Sequence, residues 1–233
     1  MTVKVCAIAG VGPGMGMSLC RRFGREGFHV AMIARTRSRL TDAAERLHAD
    51  GIAHSIHVAD VTDRKAVGAV FQRLGAEVGA PEVLIYNAFH RMVCQPSMLT
   101  EQDVLESVRV NVVGALHCVR QVASDMRYKG RGTVLFTGGG SAVDPPPQVA
   151  ALGIGKAGLR NLCFSLAREL EPHGVHVATV TIFDHINPGT HFDPDRIAEA
   201  FWALYQQPRE AWEREIEFRA PAPLDAGGRV SMT

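Results

Sequence analysis

Three residues of this chain stand where a charged or amide side chain needs a reason. Lys156 lies among Gly153, Gly155 and Gly158 in a stretch that otherwise reads as an apolar helix. Asn111 interrupts the apolar side of another helix, where an amide must find partners and asparagine is a poor helix former. It is either a satisfied core residue or a working one. Asp60 closes an apolar strand at its carboxyl end, where open α/β sheets bind ligands. Capping does not account for it, because Thr62 or Asp63 can cap the next helix. Near the start, Gly10, Gly14 and Gly16 follow the apolar run around Val3, Val5 and Ile8 in the spacing G-x-x-x-G-x-G. Glycines so spaced permit a tight turn and bring a pyrophosphate close to a helix N-terminus, whose free N–H groups and dipole favour negative charge. The alternative is that they serve only the positive φ angles of a strand-to-helix turn. Pro13 removes one donor from that loop.

If the loop holds a dinucleotide, the end of the next strand, His29 to Ala34, meets the adenosine ribose. An acidic residue there would accept bonds from both hydroxyls of NAD. Here Ala34 is followed by Arg35, with Arg37 and Arg39 close behind. Guanidinium groups suit a 2′-phosphate, so the expected cofactor is NADP (NADPH) rather than NAD. The competing reading is a solvated, basic helix start.

The elements that must position these residues alternate along the chain. Met17, Leu19, Cys20 and Phe23 give a first helix its apolar face, and Arg39 to Ala49 reads as a second. Ala53 to Val58 is a third strand, and Val67, Val70, Phe71 and Leu74 mark the helix after it. Strand Val83 to Tyr86 runs into Asn87-Ala88, followed by one long helix from about Glu101 to Arg127. Gly132 to Thr137 is a strand, Val149 to Glu171 a helix, and Val175 to Ile182 a strand. Asp193-Pro194-Asp195 opens a last helix, and Trp212 to Phe218 reads as a seventh strand at the sheet edge. Strands alternating with helices throughout predict an α/β fold, a Rossmann-type doubly wound sheet of about seven parallel strands with helices on both faces. Residues 1–219 are expected to form a single domain, with 220–233, rich in Pro, Gly and Ala, a C-terminal tail.

A formal net charge of +1 gives no electrostatic case for nucleic acid or an anionic membrane surface. Five cysteines without C-x-x-C spacing argue against a disulfide framework, and the ten histidines form no metal-binding array. With no basic region ahead of a cleavable apolar stretch and no run of membrane-spanning length, the expected location is the reducing cytoplasm.

The order of motifs resembles the short-chain dehydrogenase/reductase family over nearly the whole chain. Gly10, Gly14 and Gly16 match the family's cofactor loop, and Asp60-Val61 the residues that hold the adenine ring. Asn87-Ala88 matches the middle of the N-N-A-G turn, with Tyr86 and Phe89 replacing its ends. Asn111, in VNVVGAL, matches the family's helix asparagine, and Lys156 the lysine of its Y-x-x-x-K signature. The resemblance implies that Lys156 bonds the nicotinamide ribose and that Asn111 holds a water near it. It also implies that the helices carrying them pair across subunits of a homo-oligomer.

The departures from the family fall on the chemistry. Leu152 stands where the family has its proton-donating tyrosine, and Gly139 where it has the serine that orients the carbonyl. A leucine has no proton to transfer. Ser141 and Thr137 are nearby hydroxyls out of register. The family's Pro-Gly after the sixth strand is replaced by Phe183-Asp184, with His185 and His191 as alternative acids. The expectation is an oxidoreductase binding NADP(H), with Lys156 and Asn111 as catalytic residues and an atypical proton donor. Its small-molecule substrate would be a carbonyl or alcohol, in a pocket lined by Phe89, His90, Met92, Phe183 and His185. The alternative is a non-catalytic NADP(H)-binding protein, either a redox sensor or a partner subunit; a third reading is a scaffold kept for assembly alone.

Overall fold

The computed structural model describes residues 3–221. The tail expected at 220–233 therefore lies, but for its first two residues, outside the described residues.

The strand sequences alternate between two packing faces, and this alternation builds the molecule. Val5, Ala7 and Ala9 of β1 (Val5–Ala9) point to one side, with Ala31 and Ile33 of β2 (His29–Ala34), Leu84 and Tyr86 of β4 (Val83–Tyr86) and Val134 and Phe136 of β5 (Gly132–Thr137). Cys6, Ile8, Val30, Met32, Val83, Ile85 and Leu135 point to the other. Both faces are apolar, as a sheet covered on both sides requires. With β3 (His54–Val58), β6 (Val175–Ile182) and β7 (Glu215–Phe218) the strands pair in parallel in the order β3-β2-β1-β4-β5-β6-β7. The first face is covered by α3 (Arg64–Glu77), α5 (Gly114–Lys129) and α6 (Ala150–Leu170) through side chains such as Phe71, Val119 and Leu159. The second is covered by α1 (Met15–Arg25), α2 (Arg37–Ala49) and α7 (Pro194–Gln206), including Phe23, Leu47 and Phe201. The chain winds outward from β1 to β3 and then returns to β4 beside β1, so the sheet's switch point, where such folds open a crevice, falls between β1 and β4.

Two elements differ from expectation. The helix expected unbroken from Glu101 is α4 (Glu101–Val108), a π-helical turn over Arg109–Val113, and then α5. In the π turn the Gly114 N–H donates to the carbonyl of Arg109, five residues back. Tyr86, from β4, supplies a partner for the displaced backbone, its hydroxyl donating to the Val110 carbonyl at 2.5 Å. Gly114 admits that hydroxyl, since a Cβ there would lie 2.5 Å from it. The seventh strand begins at Glu215 rather than Trp212, because Arg209–Ala211 forms a 3₁₀ turn and Trp212 stacks flat on His176 at 4.8 Å. Among the described residues no helix is long and apolar enough to cross a membrane.

Candidate active site

The first βα turn is shaped by two glycines and opened by two others. Gly10 has φ +95°, and a Cβ on it would stand 2.3 Å from the Ala88 nitrogen. Gly16 lets α1 pack beneath the loop, since its Cβ would meet Val11 Cα at 2.8 Å. Gly14 and Gly12 have nothing within 4 Å of their Cβ positions, so they border space rather than protein. No side chain caps α1, and no acidic residue lies in its first turn. A helix N-terminus left in this state favours an anion. Gly12, which the G-x-x-x-G-x-G spacing passes over, belongs to this floor.

From that floor a cleft of about 180 Å³ runs along the carboxyl ends of β1 to β4, walled by Gly10, Arg35, Arg39, Asp60, Val61 and Asn87 among others. Arg35 is well exposed, its Nη1 4.0 Å from Asp60 Oδ2. Asp60 Oδ1 accepts the Thr62 N–H and hydroxyl, each at 2.8 Å. Partial burial pushes the Asp60 carboxyl up, but the Thr62 bonds, with Arg35 and Arg109 nearby, outweigh it and hold the group below its ordinary value. Val61 is buried, and its carbonyl bonds the ring of His117 at 3.0 Å. Asp63, not Thr62, caps α3.

Asn87 is a clamp. Its Nδ2 donates to the Gly10 carbonyl at 2.8 Å and its Oδ1 accepts the Thr137 hydroxyl at 2.9 Å, so it ties the ends of β1, β4 and β5 together. Its side chain is thereby taken up by the protein, and only its position on the cleft wall faces a ligand. Thr137 also receives Lys156, whose Nζ donates to the Thr137 carbonyl at 2.5 Å. Lys156 is 6% exposed, and that burial lowers its ammonium to about 8.

Asn111 is fully buried in the π turn. Its Nδ2 lies 3.0 Å from the Ser107 carbonyl, 3.2 Å from the Ser107 Oγ and 3.3 Å from the His90 carbonyl, while its Oδ1 is buried without a protein partner. Ser107 in turn donates to the Ala151 carbonyl at 2.5 Å, joining α4 to α6. Gly155 makes room for this group: a Cβ there would lie 2.6 Å from Ser107 Oγ and 2.7 Å from Asn111 Nδ2. Ser107 was not singled out from sequence; its place one turn before Asn111, on the same face, is the signal that identifies it.

Among the described residues, Lys156 and Asn111 are not part of the cleft wall, whereas Gly10, Arg35, Asp60, Val61 and Asn87 are. Leu152 lies one helical turn before Lys156 and is half-buried. Gly139 has an extended backbone, φ −158°, and a Cβ on it would sit 3.6 Å from Lys156 Cγ and 3.7 Å from Ser141 Oγ. Of the two nearby hydroxyls, Thr137 is committed to Asn87, while the Ser141 Oγ lies 3.7 Å from where a Cβ on Gly139 would stand. His191 is not a candidate acid in this arrangement: its Nε2 bonds the Arg219 carbonyl at 2.7 Å, and its ring packs against Phe192 and Phe218, toward β7. His185 is exposed, after β6.

A family model for short chain dehydrogenases matches residues 4–183. The chain is 28% identical over 182 residues to a very-long-chain 3-oxoacyl-CoA reductase of Aspergillus fumigatus, covering 76% of this chain and 52% of that one. It is 31% identical over 186 residues to human 17-beta-hydroxysteroid dehydrogenase type 1, covering 77% and 56%. The chain thus spans about half the length of these curated relatives. A short-chain dehydrogenase structure from Rhodopseudomonas palustris superposes with a TM-score of 0.84 at 28% identity, covering 93% of this chain and 98% of that one. The fold of a metagenomic short-chain oxidoreductase solved in complex with NADP matches with the same TM-score at 24% identity, over 93% and 96%. With the family model spanning most of the chain and the same sheet recurring in these structures, the chain belongs to the short-chain dehydrogenase family.

Proposed function

We propose that the protein is an NADP(H)-dependent oxidoreductase acting on a carbonyl or alcohol, with a proton donor other than tyrosine. The observation that carries this reading is the continuity of the site. A glycine floor at an uncapped helix leads past a basic rim at Arg35 and Arg39 to Asn87, which is bonded through Thr137 to a buried lysine. These residues fit a dinucleotide: Gly12 and Gly14 leave room over the α1 N-terminus for a pyrophosphate, the exposed Arg35, 4.0 Å from Asp60, would meet a 2′-phosphate, and Asp60-Val61 flank the adenine position. When bound, the nicotinamide supplies or accepts hydride.

The remaining work falls to Lys156 and Asn111. Lys156 is held by the Thr137 carbonyl and lowered to about 8, so it gives up or takes back a proton within the ordinary range of pH, as a general acid or base requires. Asn111 Oδ1, buried and unpaired, is an acceptor for a water or a substrate hydroxyl. Leu152 removes the usual donor, and Ser141 offers the hydroxyl nearest the orienting position. The reading includes a homo-oligomer, since Leu105, Leu116 and Ile154 expose apolar side chains on α4, α5 and α6; sedimentation showing only a monomer would remove that element.

The test is hydride transfer. NADPH oxidation is followed with a panel of aliphatic, aromatic and steroidal ketones, for the wild type and for Lys156→Met. Turnover that Lys156→Met abolishes supports the reading; tight NADPH binding with no turnover on any ketone, and none of the reverse reaction on the matching alcohols, points to the non-catalytic alternative.

A further inference from the structure

Phe89 is shared by two neighbourhoods, the wall of the cleft and the surroundings of the buried Lys156. Its ring is on the cleft wall, is 56% exposed, and lies with its centroid 5.9 Å from Lys156 Nζ. The ammonium therefore has both the Thr137 carbonyl and an aromatic ring as neighbours, and its attraction to the ring strengthens when the cation is desolvated. The backbone on both sides of Phe89 is fixed. Asn87 is bonded to Gly10 and Thr137, and the His90 carbonyl meets Asn111 Nδ2. What can move is the ring, by changing rotamer. The cleft of about 180 Å³ is also smaller than the roughly 300–1,000 Å³ of pockets that bury a drug-sized ligand.

We propose that Phe89 determines which nucleotides the cleft accepts. An adenosine bearing 2′- and 5′-phosphates enters the outer half with the ring in place. A ligand that continues to Lys156 must first turn the ring off the ammonium. This rests on the NADP(H) reading of the cleft. The apparent affinity for the full dinucleotide is reduced by the fraction of molecules whose ring is turned aside, whereas that for the half-ligand is not.

The experiment is calorimetric titration of wild type and Phe89→Ala with NADPH and, separately, with adenosine 2′,5′-bisphosphate. The side chain is exposed and takes no part in the core, so the variant folds; Phe89→Leu, which keeps apolar bulk without the aromatic face, repeats the measurement independently. The expected result is NADPH bound about tenfold more tightly by Phe89→Ala, with the bisphosphate changed by less than about twofold. Equal bisphosphate binding by both proteins, with NADPH affinity unchanged or weakened in Phe89→Ala, overturns the role of Phe89 and leaves the NADP(H) reading standing. Failure of both proteins to bind either ligand overturns that reading, and the role of Phe89 with it.

Discussion

At the outer end of the cleft Gly12, Arg35 and Asp60 line open space, and next to Gly12 in the chain Gly14 begins α1 with nothing beside its Cβ position and no side chain capping the helix. Behind the inner wall, Asn87, Thr137, Ser107 and Lys156 are already hydrogen-bonded to protein, and Asn111 keeps one buried oxygen without a protein partner. The outer end is left open, whereas the inner region is a joint that holds β1, β4, β5, the π turn and α6 together. Three of the positions where the sequence departs from the expected pattern lie near Lys156: Leu152 one helical turn before it, Gly139 with its Cβ position 3.6 Å from Lys156 Cγ, and Phe89 with its ring centroid 5.9 Å from Lys156 Nζ.

The largest effect should separate two glycines of one loop. Gly10→Ala forces a side chain to a left-handed φ and into the Ala88 backbone, and is expected to lower stability by about 3–4 kcal/mol, a fall in melting temperature of roughly 10 °C. Gly14→Ala, facing open space, should leave melting unchanged and weaken NADPH binding instead; equal melting of the two variants would erase the distinction between floor and joint. Next is the inner end's chemistry. Leu152→Tyr combined with Gly139→Ser, which the extended backbone at 139 accommodates, should raise ketone reduction by about a hundredfold, and no gain would show that more than the missing acid limits the site.

Asn87→Ala should cost about 2 kcal/mol by leaving the Gly10 carbonyl and Thr137 hydroxyl without partners, read as a lower denaturant midpoint with an unchanged slope. The smallest effect has the opposite sign. Burial lowers Lys156 from its ordinary 10.5 to about 8, so below pH 8 the folded protein carries a buried ammonium; between about 8 and 10.5 only the unfolded chain holds that proton, and wild-type stability rises through this range. Lys156→Met should therefore be more stable than wild type at pH 7, by about 1 kcal/mol, with the advantage shrinking toward pH 10. Identical pH dependence of the two melting curves would contradict it.

Much of this was legible in the sequence because burial in a parallel sheet leaves a plain mark. The strand segments and helix stripes fall where the apolar runs placed them, since both faces of every inner strand are covered. The glycine loop, Arg35 and Asp60 could be set at strand ends from the sequence pattern, and Asn87 by the resemblance; Gly10, Arg35, Asp60 and Asn87 line one cleft. What escaped was contact between residues remote in sequence. Asn87's two partners are 77 and 50 residues away, and the π turn depends on a Tyr86 hydroxyl reaching 24 residues ahead. His191 could be named an alternative acid because its partner, the Arg219 carbonyl, lies 28 residues downstream, beyond α7 in the chain.

The central claim is that the outer half of the cleft is an NADP(H) site, and fluorescence titration with NADPH and NADH, on wild type and on Arg35→Ala, tests it most directly. Arg35 is exposed and its one nearby carboxylate is 4.0 Å away, so the variant keeps its fold and any change reports on the ligand. Expected is NADPH bound at least about tenfold more tightly than NADH by wild type, with the preference lost in Arg35→Ala and NADH affinity unchanged. Equal affinity for the two nucleotides in wild type, or NADPH binding indifferent to the loss of Arg35, would contradict it.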